Sequence, residues 1–159
     1  MITLPKDIEY IITDFDGVMT DGFVYIPNNS KDFIKRVNFK DVMAVSIAIK
    51  NGYKVGIISG DSGSVIDYIK EKFNLEEVHT NIRKKAEVFE EIIKRNNLNP
   101  QKVVYIGDDV NDIDTLNMVG YPITVNNAVS KVKELPNIQI TDSDGGNGAF
   151  REVIDALIY

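Results

Sequence analysis

The sequence predicts an α/β fold built on a parallel sheet, and two observations carry that expectation. Short apolar runs at residues 8–12, 53–58, 102–106 and 121–125 alternate with stretches of helical period, the pattern of strands joined by crossover helices. The three strongest runs also end alike, in polar or acidic residues beside a glycine: Asp14-Phe15-Asp16-Gly17, Ser59-Gly60-Asp61 and Gly107-Asp108-Asp109. In open α/β sheets, ligands bind just outside the carboxyl ends of the strands.

The elements follow in order. Residues 8–12 read as a buried strand leading into Asp14, Asp16 and Gly17. A β-rich stretch at 23–26, the turn signal Pro27-Asn28-Asn29-Ser30 and an alternating segment at 33–39 predict a short hairpin. One face of its second strand carries Phe33, Lys35 and Val37, the other Ile34, Arg36 and Asn38. Asp41 is placed to cap a helix running to about Lys50, with Val42, Val45 and Ile49 on one stripe and Gly52 closing it. After the strand at 53–58, Ser62 or Ser64 starts a helix to about Phe73, and Val78-His79 forms a short strand. Residues 84–96 place Ala86, Phe89, Ile92 and Ile93 at helical spacing, with an exit at Asn99-Pro100. A helix at 112–118, a strand at 121–125, a short helix at 130–135 and a strand at 138–141 come after the strand at 102–106. The glycine-rich loop at 144–148 leads into a closing helix at 149–158. Right-handed crossovers then bring Asp14, Ser59 and Asp108 to one edge of the sheet. The expected architecture is a three-layer, Rossmann-like parallel sheet with helices on both faces. Residues 1–159 form one domain, with a hairpin flap at about 18–39.

Composition narrows the function. The net charge of −6, with no basic tract, argues against a nucleic-acid partner. The absence of cysteine excludes a disulfide framework and a thiolate metal site. No apolar run approaches ~18 residues and the N-terminus does not look like a leader, so no membrane span and a cytoplasmic location are expected. An anionic substrate needs local cations in so acidic a chain.

Asp14 and Asp16 supply a place for one. Two residues apart at a strand end, they turn to the same face if strand geometry continues. Paired anions repel unless a cation lies between them, and carboxylate and carbonyl oxygens suit Mg²⁺. The plainer reading is a capped strand end with two solvated aspartates. Plain readings exist for the rest as well. Ser59 alone reads as a helix cap, and Lys85, beside Lys84, as a solvated lysine. The acidic loop at 108–112 could only cap a helix, and His79 is not expected to be catalytic.

In order, however, Asp14-Phe15-Asp16-Gly17, Ser59, Lys85 and Gly107-Asp108-Asp109-Val110-Asn111-Asp112 resemble the four motifs of the haloacid dehalogenase (HAD) superfamily of phosphotransferases. The resemblance runs the length of the chain and implies a HAD-like fold and a Mg²⁺-dependent phosphatase, a phosphoric monoester hydrolase. It casts Asp14 as the nucleophile that forms an aspartyl-phosphate. Asp14 and Asp108 become metal ligands, with the Asp16 backbone carbonyl as a third. The Asp16 side chain acts as general acid and then base. Ser59 bonds a phosphate oxygen, and Lys85, favoured over Lys84 by its spacing to Gly107, offsets phosphoryl charge. Asp109 and Asp112 support the metal from behind or touch it as alternates.

Two further stretches, Asp16-Gly17-Val18-Met19-Thr20-Asp21-Gly22 and Gly145-Gly146-Asn147-Gly148-Ala149-Phe150-Arg151-Glu152, are similar to one subfamily. It contains phosphatases of 3-deoxy-D-manno-octulosonate (KDO) 8-phosphate and of KDN or N-acylneuraminate 9-phosphate. It also contains a domain attached to animal CMP-sialate synthetases. Members are typically homotetramers whose hairpins assemble and whose tail reaches a neighbour's site. Only 25 positions separate Asp16 from Asp41, and no insertion is visible between Asp61 and Lys85. No cap domain is expected, so a lid would come from a neighbouring subunit. Arg151, Gly60 and Asp61 are then the substrate-binding candidates.

The departures concern the sugar. KDO 8-phosphate phosphatases usually carry Thr-Gly-Arg where this chain has Ser59-Gly60-Asp61, and Arg-Asp-Gly where it has Lys40-Asp41-Val42. The nine-carbon phosphatases tend to carry Glu at the position of Asp61. Two other classes stand beside the phosphatase. A receiver domain places an adjacent acidic pair on its first strand, unlike Asp14-Phe15-Asp16. A catalytically quiet oligomerisation domain, as in the sialate synthetases, has no need to keep Asp14, Asp16, Lys85 and Asp108 together.

Overall fold

The computed structural model describes residues 1–29 and 33–159; Ser30 of the expected turn lies outside them. The elements run β1 (Tyr10–Thr13), β2 (Thr20–Tyr25), β3 (Ile34–Val37), α1 (Phe39–Lys50), β4 (Lys54–Ile58), α2 (Ser64–Phe73) and β5 (Val78–His79). They continue with α3 (Lys85–Asn96), β6 (Val103–Ile106), α4 (Ile113–Leu116), β7 (Tyr121–Thr124), α5 (Ser130–Lys133), β8 (Gln139–Ile140) and α6 (Ala149–Ile158). Six strands form one sheet in the order β5-β4-β1-β6-β7-β8, every pair parallel. β2 and β3 form a separate antiparallel hairpin. No helix among the described residues is long and apolar enough to cross a membrane.

The continuous apolar runs are explained by burial on both faces. Ile11 packs with Val45, Ile66 and Phe150, from α1, α2 and α6. Its neighbour Ile12 points the other way, to Phe89, Leu116 and Val132, from α3, α4 and α5. The sheet is therefore the middle of three layers, as expected.

The ends of elements depart from the sequence reading for reasons of capping. Asp41 does not cap α1; Asn38 does, accepting from the Lys40 backbone N–H at 2.9 Å. Asp41 is instead fully buried on α1 and accepts from the N–H groups of Gly148 (3.1 Å) and Arg151 (2.9 Å). Its carboxylate thus meets the orphan donors at the start of α6, a cap from 107 and 110 residues away that no local pattern shows. α2 does start at Ser64, one of the two expected starts, and ends at Phe73; Gly63 holds its N-cap position with no side-chain bond. The second hairpin strand covers Ile34–Val37 alone, because Phe39 already opens α1.

Candidate active site

Parallel register brings three loops together. Thr13 pairs with Ile57 on one side and Ile106 on the other, so β4, β1 and β6 end level. The Asp14 N–H extends the ladder to the Ile106 carbonyl at 2.8 Å. Beyond these ends lies a cavity of about 310 Å³ lined by Asp14, Asp16, Gly60, Asp61, Asp108 and Asn111, among others. Close approach is possible because Gly17 has no side chain. Its φ is +85°, and a Cβ there would stand 2.0 Å from Asp108 Oδ2.

A buried ion network sits behind the cavity. Lys85 Nζ lies 2.7 Å from Asp14 Oδ2 and 2.8 Å from Asp112 Oδ1. Tyr105 donates its hydroxyl to Asp112 Oδ1 at 2.7 Å, and the N–H groups of Asp108 and Asp109 reach Asp112 Oδ2 at 3.1 and 3.3 Å. Both Asp112 oxygens are thus engaged by donors, and its job is to hold Lys85 and the loop. Asp109 caps the 3₁₀ turn Val110–Asp112 reciprocally with Asp112. The plain reading, a helix-capping loop, therefore holds for those two acids, while Asp108 turns to the cavity. Burial, then the Asp112 charge, push the Asp14 carboxyl well up, against the pull of Lys85. Burial alone would lower Lys85, but the Asp14 and Asp112 charges raise it, so it stays an ammonium. Tyr105 was not singled out in the sequence; on a buried strand it reads as core, and nothing local shows its hydroxyl bond.

Asp16 is held from the hairpin. Its Oδ2 lies 2.7 Å from Lys35 Nζ, which also reaches Asp61 Oδ2 at 2.7 Å. Lys35 is a functional candidate missed in the sequence, although one signal was there: it shares a strand face with Phe33 and Val37. Ser59 is fully buried, and its Oγ accepts from the Asp61 N–H at 3.3 Å. Gly60 and Asp61 line the cavity, whereas Arg151 does not. The Arg151 Nε donates to Asp155 Oδ1 at 2.6 Å, on the outer side of α6. The glycine loop before it packs on its own chain's first loop. The Gly146 N–H donates to the Val18 carbonyl at 2.8 Å, and a Cβ on Gly145 would lie 1.7 Å from the Gly17 oxygen.

Comparison with known proteins agrees with this geometry. Residues 55–152 match the model of the haloacid dehalogenase-like hydrolase family. The chain belongs to that family. It is similar to the 3-deoxy-D-manno-octulosonate 8-phosphate phosphatase KdsC of Salmonella typhi, 28% identical over 99% of this chain and 83% of that one. A HAD superfamily (subfamily III A) hydrolase from Legionella pneumophila superposes with a TM-score of 0.90 at 31% identity, over 96% of this chain and 83% of that one. The 3-deoxy-D-manno-octulosonate 8-phosphate phosphatase from Yersinia pestis does so with a TM-score of 0.90 at 27% identity, over 96% and 82%.

A divalent cation fits this HAD-like hydrolase. Carboxylate oxygens of Asp14, Asp108 and Asp112 come within 4.8 Å of one another. Asp14 and Asp108 line the cavity and the fully buried Asp112 does not, so those two are the ligands to expect. Burial, then the Asp112 and Asp109 anions, push Asp108 up to about 7, an unfavourable anion that a divalent cation would offset. Because the folded pKa lies above the ordinary carboxylate value, this group favours the metal-free fold at low pH. That contribution is lost as pH rises towards and through about 7. Protons and metal compete for the same oxygen, so Mg²⁺ affinity is expected to fall below that pH by up to about tenfold per unit. Calorimetric titration at about pH 6 and about pH 8 measures it, and equal affinities would remove Asp108 as a ligand.

Proposed function

We propose that residues 1–159 act as one domain, a Mg²⁺-dependent phosphatase of a 2-keto-3-deoxy sugar-acid phosphate. The substrate is KDO 8-phosphate or the related KDN or N-acylneuraminate 9-phosphate. One observation carries the reading: Asp14, Asp16 and Asp108 line one cavity at the ends of adjacent parallel strands, with Lys85 bound to Asp14 from behind. Bound Mg²⁺ supplies electrophilic activation of the phosphoryl group and neutralises charge. Asp14 attacks phosphorus as the ester P–O bond breaks, and Asp16 delivers a proton to the departing alkoxide oxygen. Water then attacks the aspartyl-phosphate and gives its proton to Asp16; phosphate leaves and Asp14 is restored. Lys85 keeps Asp14 oriented and limits its charge. Ser59 bonds a phosphoryl oxygen after a rotamer change from its buried contact.

The relatives and one residue each bear on the sugar. The relatives named for KDO 8-phosphate favour the eight-carbon acid, while the acidic Asp61 at the cavity wall favours a nine-carbon one. The subunit arrangement belongs to the same proposal. Phe23, Tyr25 and Ile26 of the hairpin are 74%, 65% and 70% exposed, an apolar surface suited to burial in a homotetramer. Arg151 then serves a neighbour's site. A single-chain mass by light scattering would overturn that part. Phosphate release from KDO 8-phosphate and from KDN and N-acetylneuraminate 9-phosphates, with Mg²⁺ and with EDTA, tests the reaction. Strong preference for one acid is expected. No metal-dependent release from any of them would leave the quiet oligomerisation domain as the better reading.

A further inference from the structure

The phosphatase reading gives Asp16 a proton to move, and the hairpin supplies a residue that touches it. Among the described residues, Lys35 is the one hairpin side chain in a salt bridge with a cavity-lining carboxylate on each of two loops: Asp16 after β1 and Asp61 after β4. Its side chain is 4% exposed, against 33% for Asp16 and 48% for Asp61. Holding a buried lysine stem still costs rotamer freedom, and two equal contacts at 2.7 Å are what offset it. The other described residues of the hairpin show no comparable hold on the site. Arg36 turns outward to Asp21, and Phe23, Tyr25 and Ile26 face solvent.

The two oxygens of Asp16 are not equivalent. Oδ2 is fixed by Lys35 at 2.7 Å, while among the described residues Oδ1 meets only the Thr20 hydroxyl at a long 3.4 Å. We infer that Lys35 is a positioning residue for proton transfer: it pins Asp16 Oδ2 to the hairpin so that Oδ1 is presented to the leaving oxygen. Asp61 is its second anchor. It keeps the ammonium in place while the proton on Asp16 Oδ1 passes to the alkoxide oxygen and the P–O bond breaks. The hairpin is therefore part of the catalytic apparatus of its own chain, whatever a neighbouring chain adds.

The discriminating experiment is a leaving-group comparison. An alkyl phosphate such as the sugar-acid phosphate needs a proton on its leaving oxygen; p-nitrophenyl phosphate, which releases a stable phenolate, does not. Lys35→Met is expected to lower kcat on the sugar-acid phosphate on the order of 10²-fold, and on p-nitrophenyl phosphate only about two- to threefold. In an Asp16→Asn background the same change should add no more than about twofold on the sugar-acid phosphate, because residues that act through one another are not additive. Lys35→Arg, which keeps a cation within reach of both carboxylates, should retain turnover of the sugar-acid phosphate to within about tenfold of wild type. It also keeps the question answerable if Lys35→Met does not fold. Equal losses on the two substrates, no loss on either, or losses that multiply in the double variant would each overturn the inference and leave Lys35 as a structural strap. Inactivity of the wild type on both substrates would instead overturn the phosphatase reading itself.

Discussion

Replacing Asp14 by Asn is expected to abolish turnover, by on the order of 10⁴-fold or more, while the fold survives. An amide of the same shape keeps the acceptor that takes the Phe15 N–H at 2.6 Å but cannot form the acyl phosphate. The survival of the fold is itself informative. Asp14 is a buried carboxyl pushed up by its surroundings, Asp112 among them, with Lys85 as partial relief. Above the ordinary carboxylate range its charge works against the metal-free fold, with the sign worked out for Asp108. Asp14→Asn should therefore melt no lower than wild type near neutral pH without metal, and should gain less than wild type from added Mg²⁺. Phosphate release and thermal melting with and without Mg²⁺ are the two readouts. A variant that still turns over near the wild-type rate would eliminate the covalent route.

The legibility of this molecule divides by distance along the chain. The strands were readable because both faces are buried, so Ile11 and Ile12 are both apolar although they serve opposite layers. The loops were readable because Asp14, Ser59 and Asp108 each lie within two positions of the end of such a run, and parallel pairing does the rest. What stayed hidden are bonds between residues far apart in sequence. Asp41 looked like a local cap because Asp at a helix start usually is one; its partners are the first N–H groups of α6. Lys35 looked like one member of an alternating strand, and only folding the hairpin back shows that its charged end meets Asp16 and Asp61. Glycines 145 and 146 read as a loop leading into the closing helix, and what stayed hidden is that they let this loop touch the backbone of the first one. In each case the residue's type was informative and its partner was not.

Lys85 carries the second large expectation, and it is one of stability as much as of activity. The sequence offered it a role towards phosphate; the structure adds that it is the buried cation between Asp14 and Asp112. Lys85→Met keeps most of the apolar stem but strands these carboxyls, with Asp108 close by, in a site that solvent barely reaches. Removing one partner of a buried ion pair costs about 3–5 kcal/mol, whereas an exposed pair such as Lys84 with Glu87 contributes little. The loss should depend on pH in a defined direction. Lys85 lowers the Asp14 and Asp108 carboxyls, so without it they bind protons more tightly in the folded state, and the variant regains stability as the pH is lowered towards the carboxylate range. Added Mg²⁺ should restore part of it at neutral pH by replacing one cation with another. Urea unfolding at about pH 5 and about pH 8, with and without Mg²⁺, measures both effects. A variant as stable as wild type at the higher pH would mean that the network is not held together by the lysine's charge. Tyr105 and the two loop N–H groups on Asp112 would then be sufficient to keep the acidic loop in place.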